Sequence, residues 1–277
     1  MRPLRMLATV VSRAFGSASL ALPAGARVER DLSYGPDPAQ RLDLYRPAGR
    51  PTGALIVIVH GGAWSIGDKA NPGVVAAKVA HWLPACVVVV SINYRLLPLA
   101  VPLQQAGDVA RAIAFVQKRA ASWQVDSTRL VLLGHSTGAH LVALLAAAPE
   151  LLGPDGAEPW LATVLLDSAA LDVVGIMRAS HRPLYDRAFG AGEADWQKVS
   201  PLHRLRARPA PVLLVHSGNR AESADASRRF AAAVADLGGR AEVLEVPLSH
   251  AEINAQLGLQ NSYTKAVDAF LKSVGVP

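Results

Sequence analysis

The chain has 277 residues, 51% of them hydrophobic, a net charge of +6 at pH 7 and one cysteine. That length and apolar content suit one large α/β domain, and a lone cysteine rules out a disulfide framework or a cysteine-based metal site. The basic patches at 204–208 and at Arg228-Arg229 are short and lack interleaved aromatics, which argues for solvated surface and against a nucleic-acid footprint.

The first residues combine a basic start, Met1-Arg2-Pro3-Leu4-Arg5, with the apolar run 6–11, which Arg13 then interrupts. The run is short for a signal peptide. The spacing of Leu4, Leu7, Val10, Val11, Ala14 and Phe15 predicts an amphipathic helix over 4–15, within an N-terminal helical segment 1–25. A signal peptide is the alternative. The expected location is cytoplasmic, or secreted or periplasmic if the N-terminus is a signal peptide. No stretch has the length of a membrane span.

Alternating polar and apolar residues over 27–34 and 41–45, separated by Gly35-Pro36-Asp37-Pro38, predict an antiparallel hairpin. The continuous apolar runs 54–59 and 86–92 suit strands buried on both faces, with Cys86 as a small core residue. Between them 71–83 is helical, and 104–123 forms the next helix, with Val109, Ala112, Ile113 and Val116 on its inner face. Strand 130–135 and helix 141–148 flank Gly134-His135-Ser136-Thr137-Gly138. A strand at 161–166 follows. The irregular stretch 171–208 breaks the rhythm and reads as a functional insertion. Strand 211–215, helix 224–237, strand 241–246 and helix 260–274 complete the chain. Strands alternating with helices imply a mainly parallel sheet covered on both faces, with ligands at the carboxyl ends of its strands.

Three features at strand ends point to one chemistry. A Gly-x-Ser-x-Gly pentapeptide between strand and helix holds its serine at a tight turn beside a helix N-terminus, where free N–H groups favour negative charge. His60-Gly61-Gly62-Ala63-Trp64 follows a buried strand, and its glycines let backbone N–H groups turn toward a shared point, joined by that of Thr137. His250, past the last strand, is placed in chain order to act as general base for Ser136. The orienting acid is expected in the loop after 211–215. The first position behind that strand where a carboxylate is expected is Asn219, with Glu222 and Asp225 further on.

With Leu42-Asp43-Leu44-Tyr45-Arg46-Pro47, His60 to Trp64, Asn93-Tyr94-Arg95-Leu96, Asp108, Gly134 to Gly138 and His250, the chain resembles the α/β-hydrolase superfamily. More narrowly it resembles the esterase branch with an HGG-x-W motif, which groups bacterial carboxylesterases, feruloyl-esterase-like enzymes and arylformamidase. The resemblance implies a mostly parallel eight-stranded sheet with helices on both faces, forming one domain over 26–277 with a small cap insertion at about 171–208. It implies Ser136 as nucleophile, His250 as base, and an oxyanion hole from the N–H groups of Gly61, Gly62 or Ala63, and Thr137. Glu222 is the favoured acid, with Asn219 or Asp225 as alternatives. Asp172 is a weaker candidate, and Asp43, Asp108 and Asp167 read as structural. Trp64, His135 and Tyr185 are expected to contact substrate.

The expected activity is hydrolysis of small carboxylic esters through an acyl-enzyme, without a metal or organic cofactor. An arylformamidase-type amide hydrolase is one alternative, and a non-catalytic ligand-binding hydrolase fold is another. The expected partner is a small-molecule ester, with no nucleic acid and no membrane span; a homodimer is left open.

Overall fold

The computed structural model describes residues 20–153 and 156–277; the helix expected over 4–15 and its signal-peptide alternative lie outside them. Eight strands form one sheet: β1 (Arg27–Ser33), β2 (Arg41–Arg46), β3 (Leu55–Val59), β4 (Val88–Ile92), β5 (Leu130–His135), β6 (Ala162–Leu166), β7 (Val212–Ser217) and β8 (Ala241–Val246). Their spatial order is β1-β2-β4-β3-β5-β6-β7-β8. β2 runs antiparallel to both β1 and β4, and the remaining neighbours are parallel.

The helices are α1 (Pro72–Trp82), α2 (Pro102–Arg119), α3 (Thr137–Ala147), α4 (Val173–Arg178), α5 (Pro183–Phe189), α6 (Glu193–Lys198), α7 (Pro201–Arg204), α8 (Ala221–Asp236), α9 (His250–Gln256) and α10 (Ser262–Ser273). Local chemistry explains their ends. Asn71 caps α1 by accepting from the Gly73 N–H, with Pro72 in the first turn. Ser249 and Glu252 form a capping box on α9. The long helix expected over 104–123 is α2 followed by a separate 3₁₀ turn, Ala120–Trp123.

The apolar runs of the central strands divide by parity. Leu55, Val57, Val59, Leu130 and Leu132 pack into one core, while Ile56, Ile58, Val131 and Leu133 pack into the other. Residues of α2, α3 and α8 fill the first, and residues of α1, α9 and α10 fill the second. A strand buried on both faces needs no polar alternation, which is why these runs read as continuous apolar sequence. Cys86 departs from its expected place in the core: it is half-buried in the turn before β4, with φ 58°.

The insertion 171–208 holds the four short helices α4 to α7. It is anchored from below. His140, buried in α3, donates from Nε2 to the Val199 carbonyl at 2.7 Å and accepts from Trp64 Nε1 at 3.2 Å. Burial pushes this imidazole down to about 4, so it remains a neutral tie. Trp64 also packs edge-on against Phe189, with ring centroids 4.8 Å apart.

One buried cation links α1 to α9. Lys78 is 1% exposed, and its Nζ donates to the Asn254 carbonyl at 2.6 Å and to Asn254 Oδ1 at 3.1 Å. Burial lowers it to about 7. Between about pH 7 and the ordinary lysine range near 10, the unfolded chain then binds more protons here than the folded chain, so this group makes stability rise with pH. Thermal melts from pH 6 to 10 should show a smaller rise in Lys78→Met than in the wild type. Parallel curves for the two proteins would contradict this.

Candidate active site

The last residues of β5 and β6 are in register, His135 opposite Leu166. The residues that follow, Ser136 and Asp167, therefore emerge side by side at the carboxyl edge of the sheet. Ser136 has φ 55° and caps α3, and its N–H donates to the Leu166 carbonyl at 2.8 Å. A non-glycine residue held this way costs on the order of 1–3 kcal/mol and persists only where its surroundings fix it. Here they do. A Cβ on Gly138 would run into the Val59 and His60 carbonyls, and one on Gly134 into the backbone of Gly138 and Ala139. The pentapeptide glycines are thus required by close backbone approach.

His250 is the first residue of α9, a helix that is not among the elements predicted from the sequence. Its Nε2 lies 3.0 Å from Ser136 Oγ and its Nδ1 lies 2.6 Å from Asp167 Oδ2. A carboxylate only accepts, so Nδ1 carries the proton and Nε2 is free to accept from the serine hydroxyl. The His250 ring packs beside His135, centroids 4.5 Å apart, and the backbone carbonyl of His250 accepts from His135 Nε2 at 2.9 Å. Burial, together with the neighbouring His250, pushes His135 down to about 3, so it serves as a neutral prop.

The acceptor behind His250 is Asp167 and not Glu222, Asn219 or Asp225. β7 runs on to Ser217, two residues beyond the expected end, and α8 starts at Ala221. The connection is therefore tight, and Glu222 falls in the first turn of α8, where its side chain is 55% exposed and pairs with Arg220. Asn219 is exposed and Asp225 is 64% exposed, 4.0 Å from Arg229. Asp172 caps α4 and pairs with Arg229 at 2.6 Å. Asp43 binds Lys69 and Arg30, and Asp108 binds Arg95 through both oxygens, in keeping with structural roles.

Asp167 is fully buried and surrounded by donors. Its Oδ1 accepts from the Ser217 N–H at 3.1 Å, and its Oδ2 accepts from His250 and, at 2.6 Å, from Arg220 Nη1. Burial would raise this carboxyl. The hydrogen bonds from His250, the Ser217 N–H and Arg220 outweigh it and hold the group well below the usual carboxylate range. The sequence carries a signal for this placement: an aspartate directly after strand 161–166, combined with an amide, Asn219, at the position after the next strand where an acid is expected.

A cavity of about 1340 Å³ opens over these groups. Gly62, Ala63, Trp64, His135, Thr137 and Tyr185 line it, whereas Gly61 does not. Gly61 instead lets two loops meet, because a Cβ there would contact the His135 carbonyl at 2.8 Å and Ser136 Cβ at 2.9 Å. Gly62, Ala63 and Trp64 all have positive φ, at 130°, 51° and 58°. Among the described residues, the N–H groups of Gly62, Ala63 and Thr137 meet no backbone or side-chain acceptor outside regular secondary structure.

If Asp167 orients the imidazole, Asp167→Asn should lower kcat by about 10⁴, as the same change does in a serine protease, and Glu222→Gln by less than about tenfold. Steady-state kinetics on an activated ester check this. The reverse ranking would return Glu222 to the position expected from sequence.

The family model described as BD-FAE matches residues 42–155. The isoprenylcysteine alpha-carbonyl methylesterase of Arabidopsis thaliana is 29% identical over 239 residues, covering 79% of this chain and 55% of that protein. Esterase LipC of Mycobacterium tuberculosis is 27% identical over 203 residues, covering 68% of this chain and 50% of that protein. The chain thus spans about half the length of these relatives. Among solved structures, Thermogutta terrifontis esterase 2 phosphoramylated by tabun superposes with a TM-score of 0.73 at 24% identity, covering 91% of this chain and 96% of that one. Strand order and the serine turn give the chain the α/β-hydrolase fold, which it shares with the solved esterase, and the relatives it resembles carry esterase names.

Proposed function

We propose that this protein is a serine hydrolase of small carboxylic esters. The observation that carries the reading is the continuous line from Ser136 Oγ through His250 to Asp167, at 3.0 and 2.6 Å, on the floor of an open cavity. The names of its relatives, methylesterase and esterase, favour an ester over an amide.

In this reading His250 Nε2 takes the proton of Ser136 as Oγ attacks the acyl carbon. Negative charge develops on the carbonyl oxygen, where N–H groups of Gly62, Ala63 and Thr137 receive it. Each such donor is worth roughly 3–4 kcal/mol in the transition state. His250 then hands its proton to the leaving alcohol, which departs and leaves an acyl-serine. Water attacks the acyl carbon while His250 again acts as base, the acid is released and Ser136 recovers its proton. Asp167 holds the ring in the reactive tautomer and balances the imidazolium formed in each half-reaction. Trp64 and Tyr185, with the short helices of the insertion, frame the substrate.

The short insertion favours small acyl groups. Hydrolysis of p-nitrophenyl acetate, butyrate and palmitate, with N-formylkynurenine as the amide comparison, tests the reading. The expected result is a maximum at acetate or butyrate, weak or no turnover of N-formylkynurenine, and a loss of about 10⁶ in kcat for Ser136→Ala. A maximum at palmitate would contradict the substrate size, and preference for N-formylkynurenine would contradict the ester reading.

A further inference from the structure

Arg220 occupies the connection between β7 and α8, and its side chain turns into the site with 23% exposure. Nη1 donates to Asp167 Oδ2 at 2.6 Å and to the Asp167 backbone carbonyl at 3.3 Å. The same nitrogen lies 2.7 Å from His250 Nδ1. On its far side the guanidinium meets Glu222 Oε1, at 3.2 Å from Nε and 3.1 Å from Nη2. Two donors, one of them permanently charged, therefore converge on a single oxygen of a buried carboxylate.

The consequence follows from charge. While His250 is neutral, Asp167 and Arg220 form a closed ion pair and the imidazole merely donates to it. When His250 gains a proton, a second full cation forms in direct contact with the guanidinium, and both must share one anion. Attraction to Asp167 favours that state and repulsion from Arg220 opposes it, at a 2.7 Å contact that leaves no room for water between the two groups. The other charged or titratable groups facing His250 do not reverse this. His135 on β5 is neutral, Glu222 on α8 offsets Arg220 only from its exposed side, and Lys78 on α1, bound to Asn254 one turn along α9 from His250, adds positive charge and so acts in the same direction as Arg220.

We propose that Arg220 is a positioning residue of the reaction, one that shares Asp167 with His250 and so opposes the formation of a second cation at the imidazole. The proposal rests on the serine-hydrolase reading. It assigns to the loop after β7 a role opposite in sign to that expected from sequence: the loop supplies a cation that tempers the acid, and the acid itself comes from β6.

The test is the pH dependence of kcat/KM on p-nitrophenyl acetate for the wild type, Arg220→Met and Arg220→Lys, with Arg220→Gln as a second neutral replacement in case the methionine variant does not fold. The acid limb should move to higher pH by about one unit in the neutral variants and stay within about 0.3 unit of the wild type in Arg220→Lys. Such a move reports loss of the charge; a purely structural loss would lower the profile without shifting it. An unshifted limb in a folded, active neutral variant would overturn the proposal, as would an equal shift in Arg220→Lys. A wild type with no esterase activity would instead overturn the hydrolase reading, so the two failures are separable.

Discussion

Close backbone approach around Ser136 is the constraint on which the site depends. Gly138 lies against the carbonyls of Val59 and His60, Gly134 lies against the start of α3, and Gly61 lies against the His135 carbonyl and Ser136 Cβ. No side chain larger than hydrogen fits at these contacts without moving backbone. They bring the ends of β3 and β5 together, so the turn that strains Ser136 into φ 55° also sits beside the left-handed run Gly62-Ala63-Trp64. Nucleophile geometry and N–H donors are in this sense consequences of the same three glycines, and neither could be altered without the other.

The acid shows how sheet order sets site geometry. Asp167 follows β6, the immediate neighbour of the serine strand, so its carboxylate approaches His250 from beside Ser136. From that position it meets the Ser217 N–H and Arg220, both belonging to the next strand and its loop. A carboxylate this buried requires such partners, since an unpaired buried charge is strongly unfavourable. The same placement leaves the loop after β7 free to contribute a cation, Arg220, between positions 219 and 222 where the sequence leads one to expect an acid.

Much of this was legible in the sequence, for physical reasons that can be named. Strands buried on both faces announce themselves as unbroken apolar runs, and the runs at 54–59 and 130–135 became β3 and β5 with at most one residue of displacement. The serine turn was legible because its glycines are sterically required. The acid was not, because the register of β7 and the start of α8 decide which way the side chains at 219–222 point. A shift of two or three residues in those boundaries moves Glu222 from the site to solvent. α9 was missed because its cap, Ser249 with Glu252, is local chemistry in a segment with weak apolar periodicity. The helices of the insertion are four to seven residues long, too short to establish a helical period.

In the proposed reaction Ser136, activated by His250, is the attacking group. Its most direct measurement is labelling with a fluorophosphonate followed by peptide mass spectrometry, on the wild type and on His250→Ala. The expected result is one adduct per chain, on the peptide that carries Ser136, formed far more slowly in the variant. An adduct on a different serine, or equal labelling rates in the two proteins, would contradict it.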